Sequence, residues 1–286
     1  MVIHSSRSLY HSGAISGNPL FLDSFQRKGE VNPLDIVVLM KQTFDTEEKI
    51  GIVNGAVNEE GVRFVINPYD EYAVEEAIRI RDGLGGKVTV VTVGPERSVE
   101  ALRTALAMGA DEAVLIHDGR IPPDGAAVAG VLAAWLAGTP HDLILGGNFA
   151  VDTGAGQVAI RVAALLGIPH VGAITGLKVE NGKAVAHRDA EGDVEVVEVP
   201  LPALFTAQQG LNEPRYPSLP GIMKAKKKPL TQLTLDDLGL PAPEAKTERI
   251  GLSLPPARQA GKILSGDLPA QAKELVRLLR EEAKAL

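Results

Sequence analysis

From Asp35 the chain repeats one unit: a short β-branched run, then a segment whose apolar residues recur every three or four positions. Asp35-Ile36-Val37-Val38-Leu39 reads as a strand, and Glu71 to Ile80 has the spacing of an amphipathic helix. Lys87 to Val93 is a second strand of the buried kind, ended by Gly94-Pro95. Ser98 then stands where a helix N-cap belongs, ahead of Val99, Leu102 and Leu106 on one face, and Gly109 closes that helix. Val114-Leu115-Ile116, Gly125 to Ala137, Leu143-Ile144-Leu145 and Gly156 to Leu166 carry the alternation on. Strands alternating with helices require crossovers of one hand, so the spacing predicts an α/β fold: a doubly wound, mostly parallel, Rossmann-like sheet in three layers. Past Pro169 the pattern changes. The turns Asn181-Gly182 and Glu191-Gly192, with Val194, Val196 and Val197 beside them, suggest a small antiparallel elaboration.

A chain of 286 residues makes one large or two modest domains at about 150 residues each. Residues 34–210 hold the α/β pattern. Residues 211–286 are proline-rich and basic, end in a helix from about Pro269 to Ala285, and have too little apolar content for a core of their own. Residues 1–33 are rich in serine, without a sustained period, and read as an N-terminal extension without regular structure or as a start assigned too early, with the real one at Val31. A targeting peptide is the other reading, but the stretch has neither a continuous apolar region nor a clear amphipathic arginine face.

The net charge of -7 argues against a nucleic-acid partner. The absence of cysteine excludes disulfides, thiolate metal sites and a cysteine nucleophile, and points to a reducing, cytoplasmic compartment. Ala126 to Ala137 is apolar but shorter than the ~20 residues that span a bilayer, so membrane insertion is not expected. The six histidines have no metal-ligand spacing, no serine sits in a nucleophile elbow, and the pairs Glu75-Glu76 and Asp236-Asp237 read as solvated charge.

Ligands on such sheets bind beyond the carboxyl ends of the strands, which directs attention to Met40-Lys41-Gln42, Val93-Gly94-Pro95 and the loop from Gly146 to Gln157. In the last, Asp152-Thr153-Gly154-Ala155-Gly156-Gln157-Val158-Ala159 opens a helix with two glycines, so its backbone amides can approach an anion such as phosphate. Gly154-x-Gly156-x-x-Ala159 also fits a loose dinucleotide fingerprint and would suit a stand-alone nicotinamide-dependent enzyme. It follows the fourth strand rather than the first, however, and no Walker lysine accompanies it.

At Leu211-Asn212-Glu213-Pro214-Arg215-Tyr216-Pro217-Ser218-Leu219-Pro220-Gly221-Ile222-Met223-Lys224-Ala225-Lys226-Lys227-Lys228 the sequence closely resembles the beta subunit of electron transfer flavoprotein. Asn67-Pro68-Tyr69-Asp70-Glu71, Ala73-Val74-Glu75-Glu76-Ala77, the run Arg103 to Asp111 and Asp237-Leu238-Gly239 carry the same resemblance in the same order, from about Asp35 to the C-terminus.

The resemblance implies an electron carrier rather than a catalyst with its own substrate. It implies a heterodimer whose alpha subunit holds most of the FAD, takes electrons from flavin dehydrogenases such as the acyl-CoA dehydrogenases of fatty acid β-oxidation, and passes them to a membrane quinone oxidoreductase. The tail from 211 would pack on that alpha subunit. The usual members bury one AMP in the beta subunit. The matching positions are Leu39, Lys41, Asn67, Pro68, Tyr69, Asp70, Val93, Gly146, Gly147 and Asn148, followed by Asp152, Thr153, Gly154, Ala155, Gly156, Gln157 and Val158. The family loop reads like D-G-D-T-A-Q-V-G or D-D-D-C-N-Q-T-G. Here Asp152 and Gln157 are kept, while Ala155, Gly156 and Val158 replace polar side chains, which leaves open an AMP or the second FAD of electron-bifurcating relatives. The resemblance also implies partner docking by Arg215, Tyr216, Leu219, Pro220, Ile222, Met223 and Lys224, with Leu219 as apolar anchor and Asp189 orienting the mobile flavin domain. Lys224 and Lys227 match positions that some relatives methylate.

Overall fold

A computed structural model describes residues 33–256 and 260–285, so the expected N-terminal extension lies outside the described residues apart from Pro33. The elements run β1 (Leu34–Leu39), β2 (Gln42–Phe44), β3 (Gly51–Val53), β4 (Ala56–Asn58), β5 (Phe64–Ile66), α1 (Pro68–Leu84), β6 (Gly86–Val93), α2 (Val99–Met108), β7 (Glu112–Ile116), α3 (Gly125–Ala137) and β8 (Leu143–Gly147). They continue with α4 (Val158–Leu166), β9 (His170–Glu180), β10 (Lys183–Ala190), β11 (Asp193–Pro200), β12 (Ala203–Ala207), α5 (Leu219–Ala225), β13 (Leu230–Leu233) and α6 (Leu268–Glu281). Two bodies result: the described residues up to Ile50 with Glu59–Ile250, and Gly51–Asn58 with the residues from Gly251.

The first body is a nine-stranded sheet in the order β11-β10-β9-β12-β8-β1-β6-β7-β13. Every pairing from β9 to β13 is parallel, and the two hairpin pairings β9–β10 and β10–β11 are antiparallel, so the fold is α/β and mostly parallel as expected. The strands are apolar on both faces because both are covered. Ile36 and Val38 of β1 join a core with Val74 and Ile78 of α1 and Leu102 and Leu106 of α2. Val37 and Leu39, pointing the other way, join Leu132 and Leu136 of α3 and Val162 of α4. The handedness of crossovers decides which face a helix takes. Moving outward from β1 to β6 to β7 puts α1 and α2 on one face, and turning back from β7 to β8 and on toward β9 puts α3 and α4 on the other.

Several local readings of the sequence need correction. Ser98 does not cap α2. It belongs to a 3-10 turn, Glu96–Ser98, and itself has helical backbone angles (φ -63, ψ -13), so its hydroxyl makes no bond to the helix amides. The fourth helix starts at Val158, not Gly156, because the glycine-rich stretch folds as a separate loop. Glu75 and Glu76 are buried rather than solvated. Within the cluster Lys224, Lys226, Lys227 and Lys228, Lys228 is half-buried: its ammonium donates to the carbonyls of Leu106 (3.0 Å) and Ala110 (2.5 Å) at the end of α2. Asp124, by contrast, is an N-cap, accepting from the amides of Ala126 and Ala127 at the start of α3.

In the second body, β3 and β4 form a hairpin around Asn54-Gly55, both with positive φ, as a tight two-residue turn requires. The helix α6 is capped by Asp267, which accepts from the amide of Ala270 at 3.0 Å, and it leaves Leu268, Leu275 and Val276 exposed.

Candidate functional site

The strand order reverses between β1 and β8, where one connection leaves toward β6 and the other toward the opposite wing, so the loops that follow these strands part and open a crevice. A cleft lies there. Its walls are Leu39, Met40 and Lys41 after β1, Asn67 and Asp70 at the start of α1, Val93 at the end of β6, Gly146 to Ala150 at and after β8, and Ala155, Gly156, Val158 and Ala159 leading into α4, with Val128 and Leu132 of α3.

The first turn of α1 ties the two divergent loops together. Asp70 accepts the Lys41 amide (2.7 Å) on one oxygen and the Gly147 amide (2.8 Å) on the other. Asn67, the residue before Pro68 and α1, makes no cap bond; its side chain donates to the Phe149 carbonyl (2.9 Å) and accepts from the Val151 amide (3.1 Å). Burial pushes the Asp70 carboxyl up to about 7, against the pull of hydrogen bonds from Lys41, Asn67 and Gly147 and of the nearby Lys41 charge. Gly147 is required by this packing, because a Cβ there would lie 2.8 Å from Tyr69 and overlap the Asp70 carboxylate.

Lys41 reaches across to Asp152 with an ion pair of 2.7 Å. From Ala150 the chain folds on itself: the Gly154 amide, at φ +65, donates to the Ala150 carbonyl at 2.7 Å, and the Ala150 amide donates to Ala155 at 3.3 Å. This turn carries Ala155, Gly156 and Val158 to the cleft. Asp152, Thr153 and Gly154 lie outside its lining, and Gln157 turns away to accept from Arg161 Nε at 2.8 Å. Pro68 and Tyr69 also stand behind the lining, Tyr69 with its ring centroid 4.2 Å from that of Phe149. The Arg161 amide is the first to donate to the loop-side end of α4, at Gln157, so the amides of the preceding turn have no acceptor within the helix.

Val128 and Leu132 of α3 are cleft residues that the sequence reading omits, while Met40, Phe149, Ala150 and Ala159 lie in the segments it singles out but not among its matched positions. Val128 and Leu132 lie four apart near the start of α3, a detectable signal, as is a lone aromatic, Phe149, in a loop of small residues. Thr206 of β12 also escapes the sequence reading; it accepts from the Ala173 amide (2.8 Å) and meets Asn148 Oδ1 (3.3 Å).

The expected docking residues Arg215 to Lys224 fall together, but as a helix rather than a loop from Leu219 on. Ser218 caps α5, accepting from the Gly221 amide at 3.1 Å, with Pro220 in the first turn. Leu219 is 75% and Tyr216 95% exposed, and Ile222, Met223 and Lys224 also face solvent, so Leu219 is not a core residue. Arg215 instead turns inward onto Glu75. Asp189 is exposed on β10, at the other end of the sheet from α2 and α5.

These features define a doubly wound α/β protein with a glycine-lined cleft at its topological switch point. Residues 54–238 match the electron transfer flavoprotein domain model. Over 257 residues the chain is 55% identical to the electron transfer flavoprotein subunit beta of Bacillus subtilis strain 168, covering 88% of this chain and 100% of that one. It is 41% identical to the Syntrophomonas wolfei subunit of the same description (88% and 98% covered), and 39% identical to the caffeyl-CoA reductase-Etf complex subunit CarD of Acetobacterium woodii (86% and 98%). The chain therefore belongs to the electron transfer flavoprotein family, aligns with its beta subunits, and has a role in electron transfer. Among the described residues no helix is long and apolar enough to cross a membrane.

Proposed function

We propose that the chain is the beta-type half of a heterodimeric electron carrier of the cytoplasm. The alpha subunit holds the FAD that is reduced by flavin dehydrogenases such as acyl-CoA dehydrogenases and reoxidised by a membrane quinone oxidoreductase. This chain contributes a structural AMP and the surface on which dehydrogenases dock. The observation that carries the AMP site is the cleft at the ends of β1, β6 and β8. Leu39, Val93, Val128 and Leu132 offer apolar area for a base, and the amides of the first turn of α4, which have no acceptor within the helix and no side-chain cap, offer donors for a phosphate. Side chains add little there, since Ala155, Gly156 and Val158 stand where other members have polar groups. That departure favours a second reading, in which the cleft takes the FAD of an electron-bifurcating flavoprotein. In both readings the residues from 251 onward, with Leu268, Leu275 and Val276 of α6 exposed, pack on the alpha subunit.

The test is to express the chain alone and together with an alpha subunit. The chain alone is expected to lack flavin absorbance, and the co-expressed pair to elute as a yellow heterodimer. A stable yellow monomer of this chain alone would overturn the reading.

A further inference from the structure

Two glutamates on α1 are nearly removed from water, Glu75 at 4% exposure and Glu76 close to it. A buried carboxylate is costly unless several donors face it, and those facing these two come from one distant segment. Arg215 Nε donates to Glu75 Oε2 at 2.7 Å and Arg215 Nη2 to Oε1 at 3.0 Å, a bidentate pair; the Arg215 backbone amide adds a third bond at 3.2 Å. Asn212 Nδ2 donates to Glu76 Oε2 at 2.9 Å and to the Tyr72 carbonyl at 3.0 Å. Burial raises the Glu76 carboxyl above its usual range, and the bond from Asn212 opposes that. Arg79 approaches Glu75 at 4.0 Å and Asp82 approaches Arg215 at 3.7 Å. On the far side of α5, Arg103 of α2 donates to the carbonyls of Ala225 (2.7 Å) and Lys228 (2.9 Å). The stretch between these two anchors is the one that leaves Tyr216, Leu219 and Met223 in solvent.

We infer that Glu75 is the positioning residue of the docking segment: by gripping Arg215 with three bonds it sets the apolar side chains of Tyr216 to Met223 before a partner arrives. The inference rests on the docking reading above. Exposed apolar side chains on an unanchored segment would have to be ordered at the moment of binding, and that ordering cost subtracts from affinity. Release of Arg215 strands a buried carboxylate, so the anchored geometry is strongly favoured.

The test uses the heterodimer and an acyl-CoA dehydrogenase reduced by its own substrate. Glu75→Gln keeps the shape but offers Arg215 one acceptor in place of two. We expect amide hydrogen exchange at 216–223 to accelerate and KM for the flavoprotein to rise about tenfold, with a much smaller change in kcat and with flavin content retained. Arg215→Lys, which keeps the charge but not the bidentate fork, should do the same and serves if Glu75→Gln fails to fold. Leu219→Ala separates the two ideas. If it raises KM while Glu75→Gln and Arg215→Lys change neither exchange nor KM, the positioning inference is wrong and the docking reading stands. If exchange rises in the Glu75 variant but KM moves in none of the three, docking lies elsewhere and both fall.

Discussion

Asp70 is a carboxylate whose two oxygens each hold a backbone amide from a different strand end, yet burial is the stronger influence and lifts it from 3.8 to about 7. Between those values the folded chain binds a proton that the unfolded chain has released, so this group stabilises the fold fully below about pH 4 and loses that contribution as pH rises through 7. Thermal melts from acid to neutral pH should therefore show an Asp70-dependent decline that flattens above 7. In Asp70→Asn, which cannot titrate, that decline should be shallower; parallel curves for the two proteins would show that the carboxyl titrates normally. Gly147→Ala should destabilise by roughly 1–3 kcal/mol, because the new methyl overlaps Asp70 and Tyr69 and neither can recede from the packed first turn of α1. An unchanged melting temperature in that variant would mean that the turn is loose. At this scale the sequence was an uneven guide. Asn67 and Asp70 were identified through resemblance alone, since no local pattern shows that an Asn before Pro68 spends its side chain on a loop 82 residues away. Glu75 and Glu76 are buried against the solvated expectation because their partners are remote in sequence, and charge on a helix reads as solvated until the partner is known.

Among the elements, those whose apolar residues follow a clear period were legible: β1, β6, β7 and β8 as buried runs and α1 and α2 by helical spacing, while α3 is apolar nearly throughout. Those that depend on the rest of the fold were not. β12 is five residues placed between β8 and β9 by the sheet, β13 carries two polar residues on an edge, and β2 and β5 are three residues each. The α5 segment is rich in proline and reads as loop, but a proline in the first turn suits a helix start, and the Ser218 cap completes it. This helix presents Leu219 outward, and truncating an apolar anchor at an interface centre costs about 2 kcal/mol, roughly thirtyfold in affinity. Leu219→Ala should slow dehydrogenase-driven flavin reduction at limiting concentration with melting unchanged. Lowered melting with normal reduction would contradict the exposed position.

For the molecule as a whole, the order of strands matters more than any motif. The reversal between β1 and β8 places the cleft, and it would do so whatever residues filled the loops. On the proposed reading, which nucleotide enters depends on the loop from Asn148 to Val158, where Ala155, Gly156 and Val158 carry no polar side chain, so ligand identity is the least legible property of the sequence. The second body carries apolar surface on α6 and no buried residue in that helix. Deleting residues from 251 onward should leave melting of the first body in place and abolish co-purification with an alpha subunit; retained co-purification would assign the contact to the α/β body.

The most direct measurement is the nucleotide content of the purified heterodimer, released by denaturation and identified by mass spectrometry. One FAD and one AMP per heterodimer is the expected result, with AMP lost on substituting a cleft residue such as Gly156→Val, whose side chain would press on the Asn148 carbonyl. Two FAD and no AMP would contradict the structural-AMP account and establish the bifurcating alternative; bound NAD, with turnover by this chain alone, would contradict the carrier role altogether.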